Sequence, residues 1–539
     1  MHIRDCSWSV EFLGLSVCAL LLGAAGALGP VARKALAQTP EASKFHEEVI
    51  AELSPGSELK RELVGVSHLA WVESLSGKRT VRLDGKQQGG VYDDADYLSF
   101  NADEKHFGFF AKRGSAWTFV LDGQEHSPEY AHTTAVDFQP KGDSIAYCAC
   151  REKRKCRLVV DGTEMGDEYE DISYPQYSRD GKRLAYLAKR NKKWIAVVDG
   201  KELGPDANSV WFSSWGFSRD GSHFFVAAAT KNSWGYAVDG TPGPDFEVIS
   251  RITFSHDGQH YAYGGTDAKA GFKKQKTIGT MILDGQSVGT HEGRGMVGAW
   301  SALAGSAEVM TGGVRELTTD FHGISTPQFN PEGKLVYAAR RDKGDVAVFV
   351  GDDAGPGFDE ILSRVAFSED SQHFAYIAKH GDDFVEVRDN QPGRTIPAGK
   401  RGPSDVDWIA MSHDAKHLAY ETVSGGNQYK SGNTLRALRS VIIDGQTGPE
   451  YDAKALTDFV FDADAHHYFY EVLGAKGDRD LVNVDGHESS AYDWVAFPRF
   501  VENANTVMFI ARDGARLLRV TYALGPGTAV QMARMDPGR

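Results

Sequence analysis

The sequence predicts an all-β fold of tandem β-propellers, and three observations carry that prediction. The first is a phrase, Phe254-Ser-His-Asp-Gly-Gln-His-Tyr-Ala-Tyr, completed by Met281-Ile-Leu-Asp-Gly. Phe254, Tyr261 and Tyr263 alternate with polar neighbours around a tight turn, as in two antiparallel strands, and Asp284-Gly285 suits the two-residue turn that joins two more. The second is its copies: Tyr177-Ser-Arg-Asp-Gly with Leu184-Ala-Tyr and Val197-Val-Asp-Gly, Phe217-Ser-Arg-Asp-Gly with Val238-Asp-Gly, and Phe367-Ser-Glu-Asp with Phe374-Ala-Tyr. The third is the period. Turn aspartates fall at Asp84, Asp122, Asp161, Asp199, Asp239, Asp284, Asp389, Asp444 and Asp485, mostly ~40 residues apart, the spacing of four-stranded blades. With degraded turns near Asp320 and Asp352 and a partial unit at Val507 and Leu517 the count is about twelve; rings usually hold ~4–8 blades, so six plus six is expected.

In chain order, residues 1–37 read as a signal peptide: Arg4, an apolar run from Phe12 to Leu28, then Ala35-Leu36-Ala37 as a small-x-small cleavage site. Asp5, Glu11, Arg33 and Lys34 are unusual in a leader, and an uncleaved anchor is the rival, the run being near the ~18-residue lower limit for a span. Either way the chain is expected outside the cytoplasm, periplasmic or secreted. Residues 38–57 form an N-terminal segment in which Glu41 to Leu53 can make a short helix ended by Pro55-Gly56. Residues 58–296 are assigned to a first propeller, 297–523 to a second, with the irregular stretch after Glu292 between them. The tail 524–539 is turn-rich and expected to be disordered.

The vocabulary aromatic-Ser-x-Asp-Gly, x-x-Ala-Tyr and Val-Asp-Gly resembles the bacterial WD40-like repeat of TolB-like proteins over roughly residues 60–522. The resemblance implies a propeller and leaves activity open, since that repeat family holds binding scaffolds as well as the propellers of oligopeptidases. Those enzymes carry a separate hydrolase domain, and the repeats leave no residues here to build one.

A formal charge of −15 over 539 residues argues against a general nucleic-acid binder, which needs a basic surface for phosphates. Beyond the leader stand Cys148, Cys150 and Cys156, in one predicted hairpin. A bridge from Cys150 to Cys156 is open to it in an oxidising compartment, as are three unpaired packing cysteines. Three thiols without a nearby histidine are no zinc set.

His106, His223, His260, His373, His417 and His467 each follow an aspartate by three residues, but one pair per blade cannot converge on one ion, so a structural role is expected. Trp117, Trp194 and Trp234 share one repeat position with Cys156 and read as packing residues; Trp211, Trp215, Trp408 and Trp494 stand off it, at blade contacts or a channel mouth. Asp93, Asp94 and Asp96 lack the spacing and closing glutamate of a calcium loop. His46-Glu47 begins a zinc-protease motif that Ala51 breaks, and neither a Gly-x-Ser-x-Gly elbow nor a phosphate loop is present. No cofactor is expected.

In an up-and-down blade the Ser-x-Asp-Gly and Val-Asp-Gly turns share one face and the middle hairpins the other. The middle hairpins are basic. Lys153, Arg154, Lys155, Lys192, Lys193, Lys273, Lys274 and Lys276 are the candidate partner-binding residues, and longer loops at 264–280 and 421–440 fall on the same face. The expectation is an exported, non-enzymatic scaffold that binds a protein or cell-envelope component there, with peripheral membrane contact also open. The alternative is a propeller enzyme, a lyase or hydrolase, with a metal or acidic site in a central channel.

Overall fold

The computed structural model describes residues 44–525 apart from 230–232, 269–275, 295–326, 331, 342–344, 369, 371, 397–404, 425–436, 476 and 502–504. The leader with its rival anchor, the unit near Asp320, Lys273, Lys274 and the tail beyond Gly525 lie outside the described residues. No helix occurs among the described residues, which form antiparallel sheets of four or five strand segments.

There are eleven such sheets, at residues 58–92, 94–130, 132–169, 171–207, 209–242, 248–294, 328–354, 360–396, 405–453, 455–488 and 494–523. We number these blades 1 to 11. Each is the repeat made solid. In eight of them an Asp-Gly pair turns the third strand into the fourth, with φ 46–51° at the aspartates and 74–82° at the glycines, the left-handed pair of a tight hairpin turn.

Blades meet through apolar cores that run round in one circuit. Val72 and Val81 of blade 1 pack on Phe107 and Phe109 of blade 2, the pattern continues from blade to blade, and Met508 and Leu517 of blade 11 return to Leu69 and Trp71 of blade 1. The decisive contact is in the middle: Ala262 and Met281 of blade 6 pack directly on Leu335 and Tyr337 of blade 7. Blades 6 and 7 are therefore neighbours, with no blade between them, and six-plus-six gives way to a single eleven-bladed ring. A repeat period counts blades but carries no information on where the circuit closes.

The closure corrects a second expectation. Residues expected to form a short helix are instead the strand Phe45–Glu52, paired antiparallel with Arg516–Ala523 as the fourth strand of blade 11. Helix propensity in a Glu- and Ala-rich dozen is a weak preference, while the third strand of blade 11 would otherwise present an unpaired edge. Phe45 seals the join, its ring 4.7 Å from Tyr522.

Candidate functional site

One face of the ring is spent on structure. In seven blades the turn aspartate accepts the backbone N–H that opens the second strand at 2.9 Å. Its other oxygen meets the Nδ1 of His68, His106, His223, His260, His373, His417 or His467 at 2.6–2.8 Å. Blades 3 and 4 keep the clamp with Ser144 and Arg183 in place of histidine. The histidines thus do not bind the aspartates three residues before them; Asp103, Asp257, Asp370 and Asp414 cap their own turns through local N–H groups. Seven dyads spread around a ring share no ion.

Asp93, Asp94 and Asp96 also diverge. Asp93 pairs with Lys78 at 2.5 Å, Asp94 with Arg79 at 3.8 Å, and Asp96 with Arg61 at 2.7 Å. Among the described residues no group of three His, Cys, Asp or Glu side chains is placed to hold a metal ion. The tryptophans off the repeat position pack between blades: Trp215 against Tyr174, Trp408 on Phe459, Trp211 and Trp494 at the edges of their cores.

The opposite face carries the middle hairpins, and most of its positive charge is already matched. Arg113 pairs with Glu125, Arg151 with Glu164 and Arg190 with Glu202, each glutamate standing on a fourth strand opposite a valine. Lys112 and Lys189 lie over the rings of Trp117 and Trp194 at 5.5 and 5.3 Å. Of the sequence-derived binding residues, Lys155 pairs with Glu152 at 2.9 Å and Lys193 with Asn208. Lys276 opens a strand, Lys276–Leu283, that with Tyr261–Ala268 replaces most of the expected 264–280 loop. Leu418–Ser424 and Ala437–Ile443 likewise extend into the 421–440 loop.

Lys153, Arg154 and Lys192 are different. No ion pair holds them, they are exposed, and they line one cleft of about 440 Å³ between blades 3 and 4. The cleft lies where blade 3 differs from its two neighbours. Lys112 faces Trp117 and Lys189 faces Trp194 across the strand pair, and at that register blade 3 has Cys150 facing Cys156. The two are joined by a disulfide, S–S 2.07 Å, and buried. A two-sulfur bridge fills far less space than an indole under a lysine stem, and the unfilled space opens upward between the hairpins. Cys148 lies beside it as a free, buried thiol whose pKa burial pushes well up. His132, Glu170, Asp171 and Lys189 complete the wall; Glu170 and Asp171 sit on the connection into blade 4, a position the repeat pattern does not distinguish from any other linker.

One acidic pair breaks the repeat elsewhere. At the register where blades 2, 4 and 8 bury Phe110, Leu187 and Ile377, blade 10 buries Glu471. Its Oε1 has no donor, and burial, with Asp458 and Asp480 nearby, pushes its pKa well up. Glu421, at the same register in blade 9, is instead paired with Arg439.

No known family model matches this sequence, and no curated protein does. Among solved structures it is similar to a eukaryotic initiation factor, with a TM-score of 0.37 at 12% identity over 80% of this chain and 96% of that one. It is also similar to the tricorn protease, with 0.29 at 13% over 81% and 43%. The β-propeller domain of the Trilobed protease from Pyrococcus furiosus gives 0.24 at 10% over 66% and 97%. At such scores none of them bears on what this chain does; its own blades make it a β-propeller with WD40-like blades.

Proposed function

We propose that this chain is an exported, non-enzymatic scaffold of the TolB-like kind that binds a protein or cell-envelope component through its middle-hairpin face. One observation carries the reading: on a face where neighbouring charges are matched, the place where blade 3 has a disulfide in the position that holds a lysine over a tryptophan in blades 2 and 4 is a cleft lined by the unmatched Lys153, Arg154 and Lys192. Structural residues obey a repeat and functional ones break it. Export is supported by the leader-like start of the sequence and by the Cys150–Cys156 bridge, which suits an oxidising compartment. The test is capture from envelope extracts by the full chain, with and without charge reversal at Lys153, Arg154, Lys155, Lys192, Lys193, Lys273, Lys274 and Lys276. Partners held equally by both proteins would sink the face assignment.

A second reading, a lyase or hydrolase with a metal or acidic site in the channel, is favoured only by Glu471 and Asp458, two carboxyls that burial raises in pKa, as acid–base chemistry near neutral pH requires. A divalent ion retained stoichiometrically through purification would move the weight to it.

A further inference from the structure

We infer that the cleft between blades 3 and 4 is a docking pocket for an acidic segment of a partner polypeptide, whose carboxylate enters between Arg154 and Lys192. The inference rests on the binding reading above and names the chemistry that would be bound.

The hairpin tips support it independently of the missing indole. Where two residues join the second and third strands, Gly77, Gly114, Gly381 and Gly514 take a positive φ, at 60–77°, Gly77 together with Ser76 at 51°. In blades 3 and 4 no glycine is present, and Arg154 takes it at φ 67° and Lys192, beside Asn191 at 51°, at 65°. A long side chain is disfavoured in that conformation, and glycine is the easy choice. Retaining cations at two such tips, both on one cleft, points from an observed outlier to a use for the charge.

The chemistry of the lining selects the occupant. A guanidinium presents parallel N–H groups that match a carboxylate, with an ammonium as a second point charge. A cleft of about 440 Å³ is of ligand size, and a few side chains of a peptide fill it, whereas a flat lipid surface reaches only its rim. Glu170 and Asp171 sit on that rim with no ion pair of their own, and would be repelled by a sheet of phosphates. A polypeptide answers both signs, since its backbone N–H groups and any lysine beside the acid face Glu170 and Asp171. The disulfide beneath ties the hairpin that carries Lys153 and Arg154 across its own base, which fixes where those cations stand before anything binds.

The test uses the full chain and a short fluorescein-labelled peptide of glutamate and glycine, read by anisotropy. Saturable binding that weakens with added salt is expected, reduced at least about ten-fold by K153E/R154E/K192E, as for a charge-matched contact. The variant R154G/K192G installs the residue that other tips already use, so it folds, and it must lose binding as well. K182E/K416E, on the opposite face beside Asp180 and Asp414, must leave binding unchanged. The proposal is overturned if the wild type ignores the peptide, if R154G/K192G binds as well as the wild type, or if only phosphatidylglycerol vesicles bind. Partner capture that survives R154G/K192G would leave the scaffold reading standing and remove the pocket from it.

Discussion

Tyr492 donates its hydroxyl to Glu47 at 2.7 Å, a bond between residues 445 positions apart. The same bond recurs between neighbours inside the ring, Tyr92 to Glu125 at 2.9 Å and Tyr169 to Glu202 at 3.3 Å. Glu47 faces Val520 as Glu125 faces Val120 and Glu202 faces Val197. The first strand of the fold therefore supplies the last blade with the side chain that the repeat requires, and the ring is shut by a strand from the other end of the chain.

Closure predicts a sensitive N-terminal strand. Phe45 is buried against Phe509 and Tyr522, and a buried Phe→Ala change costs about 3–5 kcal/mol. F45A should lower the thermal midpoint and bring the first proteolytic cuts to blade 11. An unchanged midpoint would show that the ring does not depend on this strand.

The turn clamp predicts a difference between two substitutions at one residue. Asp122 holds the Phe107 N–H at 2.9 Å and His106 Nδ1 at 2.7 Å from a φ of 49°. D122A loses both bonds and places a Cβ residue with no local compensation in the left-handed region, so about 2–3 kcal/mol should go. D122N keeps an acceptor and tolerates the conformation, and should lose about half as much by denaturant titration. Equal losses would mean that the histidine charge, not the backbone clamp, is what the aspartate serves.

Much of this architecture is legible in the residues themselves. Asp-Gly at a regular interval declares the turn between third and fourth strands, and the histidine three residues after each first turn announces a repeated role, although its partner, an aspartate 16 to 27 residues further on, is visible only once the strands pair. His68 belongs to the same series and is hidden because Gly65-Val-Ser precedes it in place of the usual turn. What local pattern cannot hold is closure: Phe45 to Glu52 reads as helix because the edge it covers lies at the far end of the chain. The site follows the same division. Lys153, Arg154 and Lys192 stand out as basic hairpin residues, but so do Arg113, Arg151 and Arg190, and only pairing separates spent charges from free ones.

Acidity should stabilise the ring over the range from pH 8 down to 5. Burial raises Asp137, which accepts the Tyr177 N–H across the blade 3–4 boundary, to about 6. Burial likewise raises Glu471, Asp458, Asp480 and Glu62, and the aspartate bonds raise His106 and His373. A raised group contributes stability that is present below its ordinary pKa and lost as pH rises through the folded value, so all of these lose stability in the same direction across this window. Below it the sign reverses. Burial pushes Glu73 up, but hydrogen bonds from Ser57, Arg82 and Ser54 outweigh that and hold it at about 2, so its contribution is lost as pH falls from 4.5 toward 2. The thermal midpoint should therefore be highest near pH 5, and D137N, which keeps an acceptor without the charge, should flatten the fall between pH 5 and 7. A midpoint that climbs steadily to pH 8 would contradict the assignment.

The cleft depends on a side chain that blade 3 lacks. If blade 3 differs from blades 2 and 4 only in exchanging a lysine over a tryptophan for Cys150 and Cys156, then C150K/C156W installs its neighbours' pair on an unchanged backbone. The bridge closes a loop of only six positions, for which chain entropy allows about 2 kcal/mol at most, and the strands it joins are already hydrogen-bonded, so less than that is at stake. Burying an indole against Ile172 and Tyr186 offsets part of the loss, since a tryptophan removes a large apolar area from water. The double variant should melt within about 1 kcal/mol of the wild type under non-reducing conditions. It should bind the glutamate peptide poorly although Lys153, Arg154 and Lys192 are untouched, because the space they surround is filled. Retained binding would show that the charges act from the rim and the cavity is incidental.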